Sequence, residues 1–210
     1  MPVFRAKNEN VELECEINCA GSPGIVLCHP HPLHGGTMQS VVVGSLFHAI
    51  SEIGCSVLRF NFRGVGGSGG RYGGGEGEVN DILGALDYIK AQGGCGEVVL
   101  AGYSFGAAIA LKALGRSDAS RFVAVALPTE TSREVYGPTP IEVTAPSLVA
   151  AGDRDDICRL ENVKEIATFR EPPRIVQLTG CDHFFSNLES LRELCENVVE
   201  FVRGNDRENT

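Results

Sequence analysis

The sequence predicts a single-domain α/β fold built on a mostly parallel central sheet with helices on both faces. Short β-branched runs alternate with helix-length amphipathic runs, the pattern of strands joined by crossover helices. Most of the strand runs are apolar throughout, as they must be when both faces of a sheet are covered. Size agrees: 210 residues bury one sizeable core without disulfide or metal staples.

Residues 11–18 alternate apolar and polar side chains, as an edge strand does. Residues 24–28, 56–62, 97–101, 122–127, 147–151 and 174–179 read as buried strands. Thr37 is placed to cap a helix that carries Val42, Leu46, Ile50 and Ile53 on one face and is ended by Gly54. A second helix spans about 78–90, with Ile82, Leu86 and Ile89 turned inward. Helical patterns over 105–114, 160–169 and 187–203 complete the set. Nine of the fourteen residues in 64–77 are glycine, which makes a backbone-flexible loop between a strand and a helix. No repeat or linker divides the chain; the domain core runs from about 11 to 203, and 204–210 reads as a disordered tail.

Composition narrows the function classes. Hydrophobic residues make up 43% and charged residues 21%, ordinary for a soluble globular protein. A formal net charge of -9 repels phosphate backbones and anionic lipid, so neither nucleic acid nor a membrane is expected as a partner. The N-terminus lacks the apolar run of a signal peptide, and no later segment approaches a membrane span. The eight cysteines include no CxxC pair, and Cys28, Cys55, Cys181 and Cys195 lie in or beside apolar segments. Buried free thiols in a cytoplasmic protein are therefore expected.

The chemistry begins at Gly102-Tyr103-Ser104-Phe105-Gly106, which joins strand 97–101 to an apolar helix. G-x-S-x-G in a strand–turn–helix context lifts a serine hydroxyl clear of the sheet and aims the next helix's free N–H groups at the same spot. The flanking glycines leave room for so sharp a turn. Without that context the motif is a glycine-rich turn with Ser104 capping a helix.

A nucleophilic serine in this setting requires an acid and then a histidine, each after a later strand. Gly152-Asp153-Arg154-Asp155-Asp156 follows strand 147–151, and Gly180-Cys181-Asp182-His183 follows strand 174–179. His183 is the one histidine after Ser104, which makes it the expected base. Asp155 is the preferred acid, Asp153 and Asp156 remain alternatives, and Asp182 adjoins the base in sequence.

With these motifs the chain resembles the α/β-hydrolase superfamily. Residues 28–38, CHPHPLHGGTM, and 60–69, FNFRGVGGSG, narrow the resemblance to small capless members related to dienelactone hydrolase and short-chain carboxylesterases. It covers roughly residues 24–202. It implies esterase-like activity on a small-molecule ester through an acyl-enzyme, with no metal and no organic cofactor. It also implies an oxyanion hole made by Phe105 N–H and an N–H from the loop after strand 24–28. Pro30 and Pro32 have no N–H, so His31 or Leu33 supplies that donor, with His31 preferred. Cys158-Arg159 stands where relatives commonly carry a small apolar residue and proline. The connection 128–146 is too short for a lid domain, so small or exposed esters are expected over long acyl chains.

Three rival readings fit less of the sequence. His29, His31 and His34 form an H-x-H-x-x-H run, but the binuclear zinc pattern would put aspartate where Leu33 stands. Residues 64–69 match G-x-G-x-x-G, yet glycines continue to Gly77 and no helix opens at the third glycine. A catalytically silent hydrolase fold used for binding usually lacks a triad member, and here all three have candidates.

Overall fold

The structure, a computed structural model, describes residues 1–130, 137 and 139–204. In chain order its strands are β1 (Val3–Arg5), β2 (Glu12–Asn18), β3 (Gly24–Cys28), β4 (Ser56–Phe60), β5 (Val98–Tyr103), β6 (Arg121–Val125), β7 (Ile141–Val143), β8 (Ser147–Gly152), β9 (Ala167–Phe169) and β10 (Arg174–Leu178). The helices are α1 (Val41–Glu52), α2 (Glu76–Gly93), α3 (Phe105–Leu114) and α4 (Leu188–Val202). Eight strands form one sheet in the order β1-β2-β4-β3-β5-β6-β8-β10. β1 pairs antiparallel with β2 and β2 antiparallel with β4 at one edge, and the neighbours from β4 to β10 are parallel. α1 packs on α4 and α2 on α3.

This order positions the site. From β3 the chain crosses to β4 on one side, then returns past β3 to β5 on the other. Such a reversal opens a crevice at the carboxyl ends of β3 and β5, where α/β proteins bind ligands. Val26, Leu27, Val99 and Leu100 are buried in the adjacent strands, so the crevice has a rigid floor.

Several sequence expectations need correction. Residues 160–169 are not an α-helix: a 3-10 segment, Leu160–Glu165, leads into β9, which pairs in parallel with β7. Leu160, Val163 and Ile166 keep helical spacing, but Arg159 offers no side-chain cap, and Ile141 N–H donates to Ile166 O, drawing the segment into a two-stranded ladder. Thr37 does not cap α1. Its Oγ1 accepts from Gln39 N–H inside a separate turn, and the helix starts after Ser40. β1 and β7 were not foreseen, since three residues are too few to show a period. Residues 205–210 of the expected tail, and 131–136 and 138 of the connection after β6, lie outside the described residues. No helix among the described residues is long and apolar enough to cross a membrane.

Candidate active site

Ser104 sits between β5 and α3 with φ 55° and ψ -121°, left-handed backbone that an L-residue adopts only under constraint. Ser104 N–H donates to Val125 O, and Ser104 O accepts from Ala107 and Ala108 N–H. The flanking glycines are needed for contact. A Cβ on Gly102 would stand 2.4 Å from the Gly106 backbone, and one on Gly106 would stand 2.3 Å from Cys28 O. Glycine at 106 thus lets the start of α3 rest against the backbone leaving β3.

His183 and Asp155 arrive from the ends of β10 and β8. Their loops touch at Gly152, where a Cβ would lie 1.9 Å from Cys181 O, and Arg154 N–H donates to that same carbonyl. Tyr103, buried beside the serine, donates its hydroxyl to His183 O at 2.8 Å and so fastens the histidine loop to the elbow. The result is a continuous hydrogen-bonded chain. Ser104 Oγ lies 2.9 Å from His183 Nε2, and His183 Nδ1 lies 2.8 Å from Asp155 Oδ2. Asp155 is buried, and its Oδ1 accepts from Ile157 N–H at 2.9 Å and Cys158 N–H at 2.8 Å.

The other aspartates go elsewhere. Asp153 accepts from Gly180 N–H, Asp156 is exposed beside Arg159, and Asp182 accepts from Phe184 and Ser186 N–H. Those bonds to Asp182, chiefly from Ser186, hold its carboxyl below the usual carboxylate range. Of the four candidates only Asp155 meets the imidazole.

Phe105 N–H, at the first position of α3, has no acceptor among the described residues, and neither has His31 N–H. Leu33 N–H is occupied, donating to His31 Nδ1 at 3.2 Å. The His31 and Phe105 rings lie 4.6 Å apart, so the two loops that carry the free donors are in contact.

His29 and the glycines of residues 60–69 build scaffold. His29 Nδ1–H donates to Pro30 O, while His29 Nε2 accepts from Phe62 N–H, so neither ring nitrogen is open to a metal. No group of three or more His, Cys, Asp or Glu among the described residues is placed to hold one. Gly64 N–H donates to Gly69 O, Gly67 N–H donates to Glu14, and α2 opens only at Glu76, so residues 64–69 form a closed turn with no helix at their end. Asn61 joins that turn to the loop after β3 by donating to Glu14 and accepting from Met38 N–H.

Burial pushes the His29 pKa down from 6.5 to about 4. The folded chain therefore takes up this proton less readily than the unfolded chain. Its stabilising effect is complete above pH 6.5 and is lost as pH falls from 6.5 toward 4, by about 3 kcal/mol in all. Denaturant unfolding at a series of pH values is expected to show this loss, and a His29→Asn variant to show a shallower one. Equal acid sensitivity in the two proteins would assign the loss to other groups.

A cavity of about 660 Å³ opens over Ser104 and His183, at the crevice between β3 and β5. Tyr72 and Phe184 are lining residues that sequence reasoning did not single out. The available signal for Tyr72 was a lone aromatic inside a glycine loop. Glu78 sets that loop's shape by accepting from Gly73 and Gly75 N–H.

A model of the serine aminopeptidase S33 family matches residues 31–132, a stretch that holds Ser104 and ends before Asp155 and His183. The uncharacterized protein RP471 of Rickettsia prowazekii (strain Madrid E) is 33% identical over 178 residues, 78% of this chain and 72% of the relative. Among solved structures, an α/β serine hydrolase homologue from Coxiella burnetii is 35% identical with a TM-score of 0.79, covering 94% of this chain and 95% of that one. A lidless α/β serine hydrolase from Xanthomonas campestris is 27% identical with a TM-score of 0.79, over 99% of this chain and 95% of the other.

Proposed function

The chain belongs to the α/β-hydrolase superfamily, and on that premise we propose that it hydrolyses carboxylic esters with Ser104 as nucleophile, His183 as base and Asp155 as orienting acid. The carrying observation is the unbroken hydrogen-bonded chain from Ser104 Oγ through His183 to Asp155.

Each residue's part follows from its partners. Asp155 accepts two backbone N–H bonds at Oδ1 and faces His183 Nδ1 with both oxygens, Oδ2 at 2.8 Å and Oδ1 at 3.0 Å, so the Nδ1–H tautomer is favoured. That leaves Nε2 as the acceptor facing Ser104 Oγ. As the hydroxyl attacks an ester carbonyl, its proton passes to Nε2, and Asp155 stabilises the imidazolium. The oxyanion is held by Phe105 and His31 N–H and by the positive end of α3. Collapse expels the alcohol, which takes the proton back from His183, leaving an acyl-enzyme on Ser104. Water, deprotonated by the same nitrogen, releases the acid. No metal or organic cofactor enters these steps.

Fluorophosphonate labelling read by intact mass tests the proposal. One adduct on the wild-type chain and none on Ser104→Ala is the expected result. A folded wild-type protein that takes no adduct, or a labelled Ser104→Ala, would overturn it.

A further inference from the structure

Seven aromatic rings line the cavity over Ser104. The chain has ten phenylalanines, four tyrosines, five histidines and no tryptophan. Besides Tyr103 and His183, five of these rings line the cavity over Ser104: His31, His34, Tyr72, Phe105 and Phe184. His31 is the hub, with ring centroids 4.7 Å from His34, 4.6 Å from Phe105 and 5.4 Å from Tyr72. Tyr72 and Phe105 lie 6.0 Å apart, and Phe184 meets the His183 ring edge-on at 5.5 Å.

Packing alone does not explain this wall. A core cluster buries its rings, yet Phe184 is 71% exposed, His34 is exposed, and His31 and Tyr72 are half-buried. Solvent-facing rings gathered round a concave site favour a ligand that covers them. The wall is also uncharged. No Asp, Glu, Lys or Arg lines the cavity among the described residues, so an anionic group would find no cation there. His31 itself is held neutral, because Nδ1 accepts from Leu33 N–H and burial with neighbouring His34 opposes a second proton. Outside the cavity, a net charge of -9 repels anions at longer range.

We propose that this cavity is an aryl-binding site, and that the preferred substrate is an uncharged ester carrying a planar aromatic group held by the Tyr72, His31 and Phe105 rings. The inference rests on the serine-esterase reading above and adds the substrate class. Apolar area would serve a cycloalkyl group equally. Tilted and edge-on ring contacts favour a flat π-system, and two or three of them give about tenfold discrimination.

The test compares ester pairs equal in leaving-group chemistry: benzyl against cyclohexylmethyl butyrate, and ethyl phenylacetate against ethyl cyclohexylacetate. In at least one pair, kcat/KM for the aryl member is expected to be about tenfold higher, mainly through KM. Monobenzyl succinate, which adds a free carboxylate, is expected to fall at least about tenfold below benzyl butyrate. Tyr72→Leu should narrow the aryl preference to within about threefold, while Tyr72→Phe, which keeps the ring, should retain it. Melting temperatures establish that both variants fold. Equal kcat/KM within both pairs, or an undiminished preference in Tyr72→Leu, would sink the aryl site and leave the esterase reading standing. Absence of both labelling and ester turnover in the folded wild-type chain would remove the esterase reading, and this inference with it.

Discussion

Ser104→Ala and His183→Ala are each expected to lower kcat by about 10⁶-fold, and the double variant to lower it no further. The two groups act as one device: the hydroxyl becomes a nucleophile only by losing its proton to Nε2, 2.9 Å away. With the base gone, attack must come from an intact alcohol. With the serine gone, the base has no enzyme nucleophile to activate. Independent contributions would multiply instead, and the double variant would then be unmeasurably slow. Residual activity in all three comes from the backbone donors and the cavity, which none of the substitutions removes. kcat for the two single variants and the double variant on one ester, with melting curves to verify folding, decides the matter. Single losses of tenfold or less would show that these side chains do not carry the reaction.

The parts of the site that could be read from sequence are those whose chemistry is local. Ser104 was legible because a strand, two obligatory glycines and an apolar helix follow one another without interruption. Chain order then led to His183. Asp155 was harder, since four aspartates stand after the two strands and only the turn at Ile157 and Cys158 distinguishes one of them. What stayed hidden depends on distant partners. Tyr72 reaches the cavity because Glu78 gathers the backbone of the glycine loop, and nothing in the loop's own sequence announces that. His29 carried the look of a metal ligand, yet Phe62 and Pro30 occupy both its nitrogens. The same degeneracy misled the reading of 160–169. A helical spacing of three apolar residues is indistinguishable from a 3-10 segment entering a strand until the pairing with β7 is known.

Asp155→Asn is expected to lower kcat by about 10⁴-fold while leaving the fold almost undisturbed. The argument turns on which way the new amide faces. Oδ1 of the aspartate accepts from Ile157 and Cys158 N–H, so the amide oxygen of asparagine must keep that place. Its NH₂ then occupies the position of Oδ2, 2.8 Å from His183 Nδ1. Two donors cannot face each other at 2.8 Å, and the oxygen 3.0 Å from Nδ1 already accepts two backbone N–H bonds, so the balance shifts to the tautomer with Nδ1 bare and the hydrogen on Nε2. Nε2 now donates toward Ser104 Oγ and has no lone pair to receive the hydroxyl proton. The two backbone bonds to residue 155 survive, so the melting temperature changes little. Asp156→Asn is the control: its side chain is 96% exposed and pairs with Arg159 alone among the described residues, and kcat is expected to stay within about twofold. A fall in Asp156→Asn with near-normal turnover in Asp155→Asn would move the orienting role one residue along the loop. The expected pattern, a large loss of kcat without a loss of stability at 155 alone, belongs to a wrong tautomer and not to a damaged fold.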